Sequence, residues 1–443
     1  MPTRGLRRTL LAIAVGVPLF AQTGSIVISQ IYGGGGNMGA TLRADFVELF
    51  NRGSQPVDIG GWTLQYASAA GTTWDRTFLS GTIQPGHYYL LQMAVGGPGV
   101  SLPSPDAIGE LNLSAMSAKI ALVAGLANLS DTVPSSPQLV DFVGYGTANA
   151  ALGSPAPQIN NTTAILRRSN GCTDTRNNSA DFVTGSPSPR TSRTAPNYCF
   201  ALPAISTAGI ANAASFAAES VAPGEILTIF GSAMGPALLQ RLQLNPDGRS
   251  VSNSLSGTRV LFNGVPGPLI YTRTDQVSVI VPYGVATSAT VEIQVEYNGV
   301  PSNRVTLPVA KAAPGIFTLD SSGRGQGAIL NQDYFVNGPS RPASIGSVII
   351  IYATGAGRTN PPAPDGGIIG TPLPLVQETV TVKIDGQDAE VLYAGMAPSL
   401  VNGVLQINAR IPSGLARGGS LPIEVSVGGR SAQSGVTVAV QNP

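Results

Sequence analysis

One histidine, His87, and two cysteines, Cys172 and Cys199, narrow the chemistry open to this chain. A serine-hydrolase triad would have to use His87, which opens the strand-like stretch HYYLLQ, and no G-x-S-x-G turn surrounds any serine. Metal-dependent phosphodiesterases need several carboxylates together with paired histidines, and a pair does not exist here. Asp45 and Glu48 could serve as a glycosidase acid and base, but they stand three apart on a predicted strand and so point to opposite faces. The more site-like stretch is Cys172–Asp181, where Asp174, Asn178 and Asp181 offer the hard oxygens that Ca²⁺ takes. Arg176 weakens the negative field there, and Asx side chains also close turns without any metal. Trp62 reads as core. Trp74 reads as core or as surface, and if exposed beside Asp75 and Arg76 it is the first candidate for ligand contact. The Gly33–Gly36 run lacks the Lys-Ser/Thr of a phosphate loop and reads as a turn between strands.

These residues are set in an unusual composition. Of 443 residues only 11% are charged, 25 Lys+Arg against 24 Asp+Glu, while 54 glycines and 35 prolines disfavour long helices. A balanced charge argues against a broad nucleic-acid surface, so no nucleic-acid partner is expected. Arg167-Arg168 and Arg190–Arg193 form a local basic patch that reads as a solvated, partly paired face. The start, MPTRGLRR then TLLAIAVGVPLF then AQ, has the basic, apolar and small-residue order of a secretory signal over residues 1–21. Arg7-Arg8 also partly resembles a twin-arginine signal, although Sec-type export is the expectation. No later run reaches the roughly 18 apolar residues of a membrane span. In an exported chain exactly two cysteines favour one disulfide, Cys172 to Cys199.

Short strands separated by Gly, Pro, Ser and Asn clusters run through the first half: SIVISQIY, RADFVELFN, GWTLQY, HYYLLQ, KIALVA and LVDFVGYG. The second half holds an internal repeat. Gly224-Glu-Ile-Leu-Thr-Ile-Phe aligns with Gly346-Ser-Val-Ile-Ile-Ile-Tyr at an offset of 122, and Val260–Tyr271 aligns with Val382–Tyr393 at the same offset. The offset becomes 130 for Gln276–Pro282 against Gln406–Pro412 and for Val295–Gly299 against Val425–Gly429. Eight extra residues before Gln406 imply a longer loop in the second copy.

Several ordered motifs resemble the lamin-tail domain, an immunoglobulin-like sandwich. They are Gly33–Asn37, Asp45-Phe-Val-Glu-Leu-Phe-Asn51, Val57-Asp-Ile-Gly-Gly-Trp-Thr-Leu64, Gly86-His-Tyr-Tyr-Leu-Leu91, Val140-Asp-Phe-Val-Gly-Tyr-Gly146 and Asp181-Phe182. Bacterial members of that family are secreted and sometimes precede a nuclease domain, which has no counterpart here; the resemblance supplies no catalytic residue. The second half resembles an uncharacterised C-terminal region of exported acidobacterial proteins. That likeness rests on Ala211-Asn-Ala-Ala-Ser-Phe216, Val221-Ala-Pro-Gly-Glu-Ile-Leu-Thr-Ile-Phe-Gly231, Ala313-Pro-Gly-Ile-Phe317 and Tyr352-Ala-Thr-Gly355. Its repeats look like the immunoglobulin-like folds shared by plexins and transcription factors, which implies fold and export but no activity.

The expected architecture is therefore all-β, with three tandem immunoglobulin-like sandwich modules after a signal peptide. The boundaries are 1–21 signal, 24–190 lamin-tail-like domain, 191–215 linker with a disulfide brace, 216–311 first module, 312–342 bridging segment and 343–443 second module. The expected role is non-enzymatic adhesion or structural interaction outside the cell, with an extracellular polymer or protein as partner. A carbohydrate- or nucleic-acid-binding accessory to secreted hydrolases is the alternative, and a carboxylate hydrolase a third. No cofactor is expected beyond the calcium considered above.

Overall fold

A computed structural model describes residues 23–442, and the chain divides into two compact units between Phe200 and Ala201. The export signal assigned to residues 1–21 lies outside the described residues. Regular structure is almost wholly β-strand, as the glycine- and proline-rich composition requires.

In the first unit Ile26–Tyr32 and Ala44–Asn51 pair antiparallel at the centre of a six-stranded sheet. Facing it is a four-stranded sheet ordered Leu139–Tyr145, Ala118–Val123, Thr63–Ser68 and Asp75–Phe78. Ile26, Ile28, Val47 and Leu49 meet Leu64, Ile120, Leu122 and Val143 between the sheets, which is the aligned two-layer core of an immunoglobulin-like sandwich. Every residue of the two central strands is buried. The outer face carries Val27, Phe50 and Tyr88, and it is covered by the chain around the Cys172–Cys199 disulfide. A bulge at Ser29 shifts the register from Ile28↔Leu49 to Gln30↔Glu48.

The second unit contains both repeats, and their principal strands correspond in position. Ile226–Ser232 matches Val348–Thr354, and Thr258–Phe262 matches Val380–Ile384, both at the offset of 122. Val300–Pro301 matches Arg430–Ser431 at the offset of 130. The first copy packs Leu227, Ile229, Val260, Phe262, Ile293 and Val295 between its sheets. The second packs Ile349, Ile351, Val382, Ile384, Ile423 and Val425 at equivalent positions. Here Gln387–Met396 is one ten-residue strand, bulged between Val391 and Tyr393, that pairs with strands of both layers and joins them into a single folded-over sheet.

Two expected boundaries differ. Within the stretch read as linker, Ala204–Asn212 is a nine-residue strand paired with Ile226–Ser232. Its alternation is hidden because Ser, Thr, Ala and Gly fill the stretch between Ile205 and Ile210, where the register slips. The bridging segment is also part of the second copy: Gly315–Ile316 and Ile329–Leu330 pair with Val348–Thr354, and Gly325–Gln326 runs parallel to Val436–Val440.

Replacing both Cys172 and Cys199 by Ser is expected to destabilise the first unit by about 3 kcal/mol, the chain-entropy value for a loop of this order. Urea unfolding followed by tryptophan fluorescence reads this unit alone, because Trp62 and Trp74 both lie in it. An unchanged midpoint would mean that side-chain packing holds the covering segment without the bond.

Candidate functional site

The four motifs singled out in the second half converge on one place, the contact between the two repeats. Asn212, at the end of its strand, donates from Nδ2 to Glu225 Oε1 at 2.7 Å and to the Ala313 carbonyl at 3.0 Å. Its Oδ1 accepts from the amides of Ala214 and Ser215, each at 2.9 Å. Glu225 closes the Ala222-Pro-Gly-Glu turn by accepting the Ala222 amide on Oε2 at 2.7 Å. Gly224 must be glycine in that turn: φ is +72°, and a Cβ would lie 2.4 Å from the Tyr283 hydroxyl. Thr354 of the last motif accepts the Ile226 amide at 2.9 Å and donates to the Gly403 carbonyl at 2.8 Å.

Gly403 belongs to the longer loop foreseen before Gln406. That loop is a wedge: Asn402 donates to the Pro364 carbonyl at 2.7 Å and accepts the Tyr283 hydroxyl at 3.3 Å. Glu225 is 1% exposed, and burial pushes its carboxyl up to about 8, although the bonds from Ala222 and Asn212 act the other way. It is therefore a neutral, hydrogen-bonded acid at pH 7, and its place is structural.

Two clefts open on this contact. One, of 110 Å³, lies over Glu225, with Glu219, Arg430 and Ser431 at its rim. The other, of 280 Å³, is lined by Ser288, Lys311, Arg358, Gln377 and Glu378 beside an apolar wall that includes Pro223 and Val309. Neither cleft was foreseen. Lys311 and Arg358 are far apart in sequence, and Asn212 and Glu225 sit in turn motifs that look like loop chemistry alone.

The residues that the sequence nominated lie in the first unit, and most are turned inward. Trp74 is 1% exposed, which selects the core reading and removes it as a candidate for ligand contact. Its indole N–H donates to the Asp131 carbonyl at 3.1 Å, Phe142 meets it edge-on, and the buried Lys119 ammonium lies 5.6 Å from the ring centre. Asp45 and Glu48 do not converge. Asp45 accepts the Gly35 and Leu113 amides, and burial pushes its carboxyl up to about 6. Glu48 bonds Arg190 at 2.7 Å on the outer face. His87 Nδ1 is 3.1 Å from the Ser192 carbonyl. The glycine run is a close approach of three loops, since a Cβ on Gly35 would lie 2.0 Å from Ala44 and one on Gly36 2.2 Å from Gly96.

All but one of the oxygens considered for calcium already have hydrogen-bond or short ion-pair partners. Asp174 pairs with Arg52 at 2.8 Å, Asp181 accepts from Thr175 and from Arg167, and Asn178 bonds the amides of Gly144 and Leu152. Asp174 Oδ1 is buried without a hydrogen bond, 3.8 Å from the Arg167 guanidinium. No group of three or more His, Cys, Asp or Glu side chains suited to a metal ion occurs among the described residues. The basic patch is also corrected in part. Arg167 is fully enclosed, bonding Asp141 at 2.7 Å and the Ile28 carbonyl at 2.8 Å, because it closes the gap between the two sheets; Arg168 and Arg193 remain outside.

Residues 20–171 match the family model described as Lamin Tail Domain, so the first unit carries that domain. No curated protein matches the chain. A solved structure described as "Biofilm associated protein - BSP domain" aligns over 94% of this chain at 10% identity and a TM-score of 0.19. This chain spans 66% of its length, and a likeness that distant carries no argument.

Two expectations follow. Glu225 has an ordinary value of 4.5 that folding raises to about 8, so between those limits the unfolded chain releases a proton that the folded chain keeps. Stability of the second unit is thus fullest below about pH 4.5 and falls by up to about 1.4 kcal/mol per pH unit until pH 8. Glu225→Gln should flatten that slope in urea melts at a series of pH values, and an identical slope in the variant would refute the assignment. Trp74→Ala should cost about 3–5 kcal/mol of first-unit stability, as for other buried aromatics, and a variant with an unshifted melting point would return Trp74 to the surface.

Proposed function

We propose that this chain is a non-enzymatic β-module protein that acts outside the cytoplasm, as a stiff attachment scaffold of the cell surface or its surrounding matrix. The observation that carries this reading is the use to which the conspicuous polar motifs are put. Asn212, Glu225, Ala313 and Thr354 bind one repeat to the other, Asp141 and Arg167 bind strand to strand, and Glu48 binds the segment at Arg190 to the sheet. Groups engaged in this way hold a framework and leave its loops to make contacts.

Three further observations support the reading. A disulfide in a chain with no other cysteine fits an oxidising compartment. No helix among the described residues is long and apolar enough to cross a membrane. The carboxylates nearest to a glycosidase pattern, Asp45 and Glu48, are taken up by backbone amides and by Arg190, which speaks for the non-enzymatic reading over a hydrolase. The accessory carbohydrate-binding alternative is favoured by one observation, the unpaired charges of the larger cleft.

The full chain, carried by intact bacterial cells, should be removed by added protease, and its cysteines should resist alkylation until reductant is supplied. Cells displaying it should also be retained better on a matrix-coated surface than cells lacking it. Reduced cysteines together with protection from protease would overturn the extracellular reading; equal retention would overturn attachment.

A further inference from the structure

Charged side chains are scarce in this protein, and most have a visible partner. Of the three lysines, Lys119 is buried against the Gly71 and Thr132 carbonyls and Lys383 pairs with Asp388. Lys311 is different. It is exposed on the rim of the larger cleft, and among the described residues its ammonium makes neither an ion pair nor a hydrogen bond. The same is true of the Arg358 guanidinium and the Glu378 carboxylate, which share the cleft with it.

The backbone forces these groups together. The Ala313 amide donates to the Gly355 carbonyl at 2.9 Å, and a Cβ on Gly357 would lie 1.9 Å from the Lys311 carbonyl oxygen. The chain leaving the first repeat therefore runs in direct contact with Gly355–Gly357, and Arg358 follows at once. Gln377 is fixed alongside, its amide donating to the Arg358 carbonyl and its Nε2 to the Thr359 carbonyl, each at 3.0 Å. The cleft thus carries two unpaired cations against one unpaired carboxylate, and the surplus positive charge attracts an anion.

We propose that this cleft binds a carboxylated sugar of an acidic polysaccharide, with Lys311 and Arg358 on the carboxylate. Glu378 and Ser288 would take the ring hydroxyls, and the Pro223–Val309 wall would take the C–H face of the ring. Its 280 Å³ lies just below the roughly 300–1,000 Å³ usual for ligand pockets, which suits one residue of a polymer held from the side. Glu378 decides between ligand classes, because a carboxylate in the cleft accepts from sugar hydroxyls, donors that the side chains of an acidic peptide lack. The inference deepens the attachment role by naming a ligand, and it rests on that reading only for the ligand's extracellular supply.

The test uses the purified full chain and calorimetric titration with oligogalacturonate, its methyl ester and oligoglutamate, at low and high salt. Saturable binding to oligogalacturonate is expected, weakened by salt and abolished by esterification. Lys311→Ala and Arg358→Ala should each weaken it about tenfold or more, the worth of one charge-assisted hydrogen bond. Glu378→Ala should also weaken it. Stronger binding in that variant, or equal binding of oligoglutamate, would mark a simple anion site and overturn the sugar assignment. No binding, or binding indifferent to both cations, would overturn the site altogether. Melting curves accompany each variant, and any that melts early is replaced by Lys311→Gln or Arg358→Gln. Failure here would leave surface attachment by other loops intact, and failure of the cell-retention assay would leave a measured isotherm intact.

Discussion

The paired repeats depend on one carboxamide. Asn212 can make four hydrogen bonds and makes all four: two from Nδ2, to Glu225 and Ala313, and two to Oδ1, from Ala214 and Ser215. Those partners belong to the end of one strand, the turn that opens the next, and the start of the second repeat. No apolar residue of similar size could take its place without stranding several buried groups, each costing about 1–3 kcal/mol. Gly315 is constrained by the same side chain, since a Cβ there would lie 2.3 Å from Asn212 Oδ1. Small and polar residues of three separate motifs thus accommodate a single amide.

The lamin tail domain solves a different problem with the same economy of charge. Its central strands are buried on both faces, so any polar group on them must be answered inside the protein. Arg167 answers Asp141 and Asp181 together with the Ile28 carbonyl, and stacks over Phe182 at 4.5 Å. Arg190 answers Glu48 and lies over the Tyr88 ring at 3.8 Å. Several of the few charges in this unit thus act as internal ties, while glycine, serine, threonine and asparagine supply the turns.

How much of this was legible in the sequence depends on the length scale. The repeat was fully legible, because equal spacing of buried residues leaves an offset that survives substitution; Ile226–Ser232 and Val348–Thr354 coincide to the residue. The sandwich of the first unit was legible from its strand motifs, and so was the disulfide. Ala204–Asn212 was not, since its inward positions are filled partly by small residues across a register slip. Trp74 could not be placed because its neighbours Asp75 and Arg76 are exposed while its own ring enters a second, smaller core with Phe142 and Leu129. The clefts escaped notice for a general reason: they are made by contacts between residues whose separation no local pattern encodes.

The wedge at Ala397–Val404 gives the tandem pair a direction. It exists in the second copy alone, and it is what fills the space against Gly224, Ile226 and Tyr283 of the first. A duplication that began as two equal halves has become a lock and its bolt, which cannot exchange places. A copy added before the first would need a bolt that the first copy lacks, so this contact cannot be repeated in that direction.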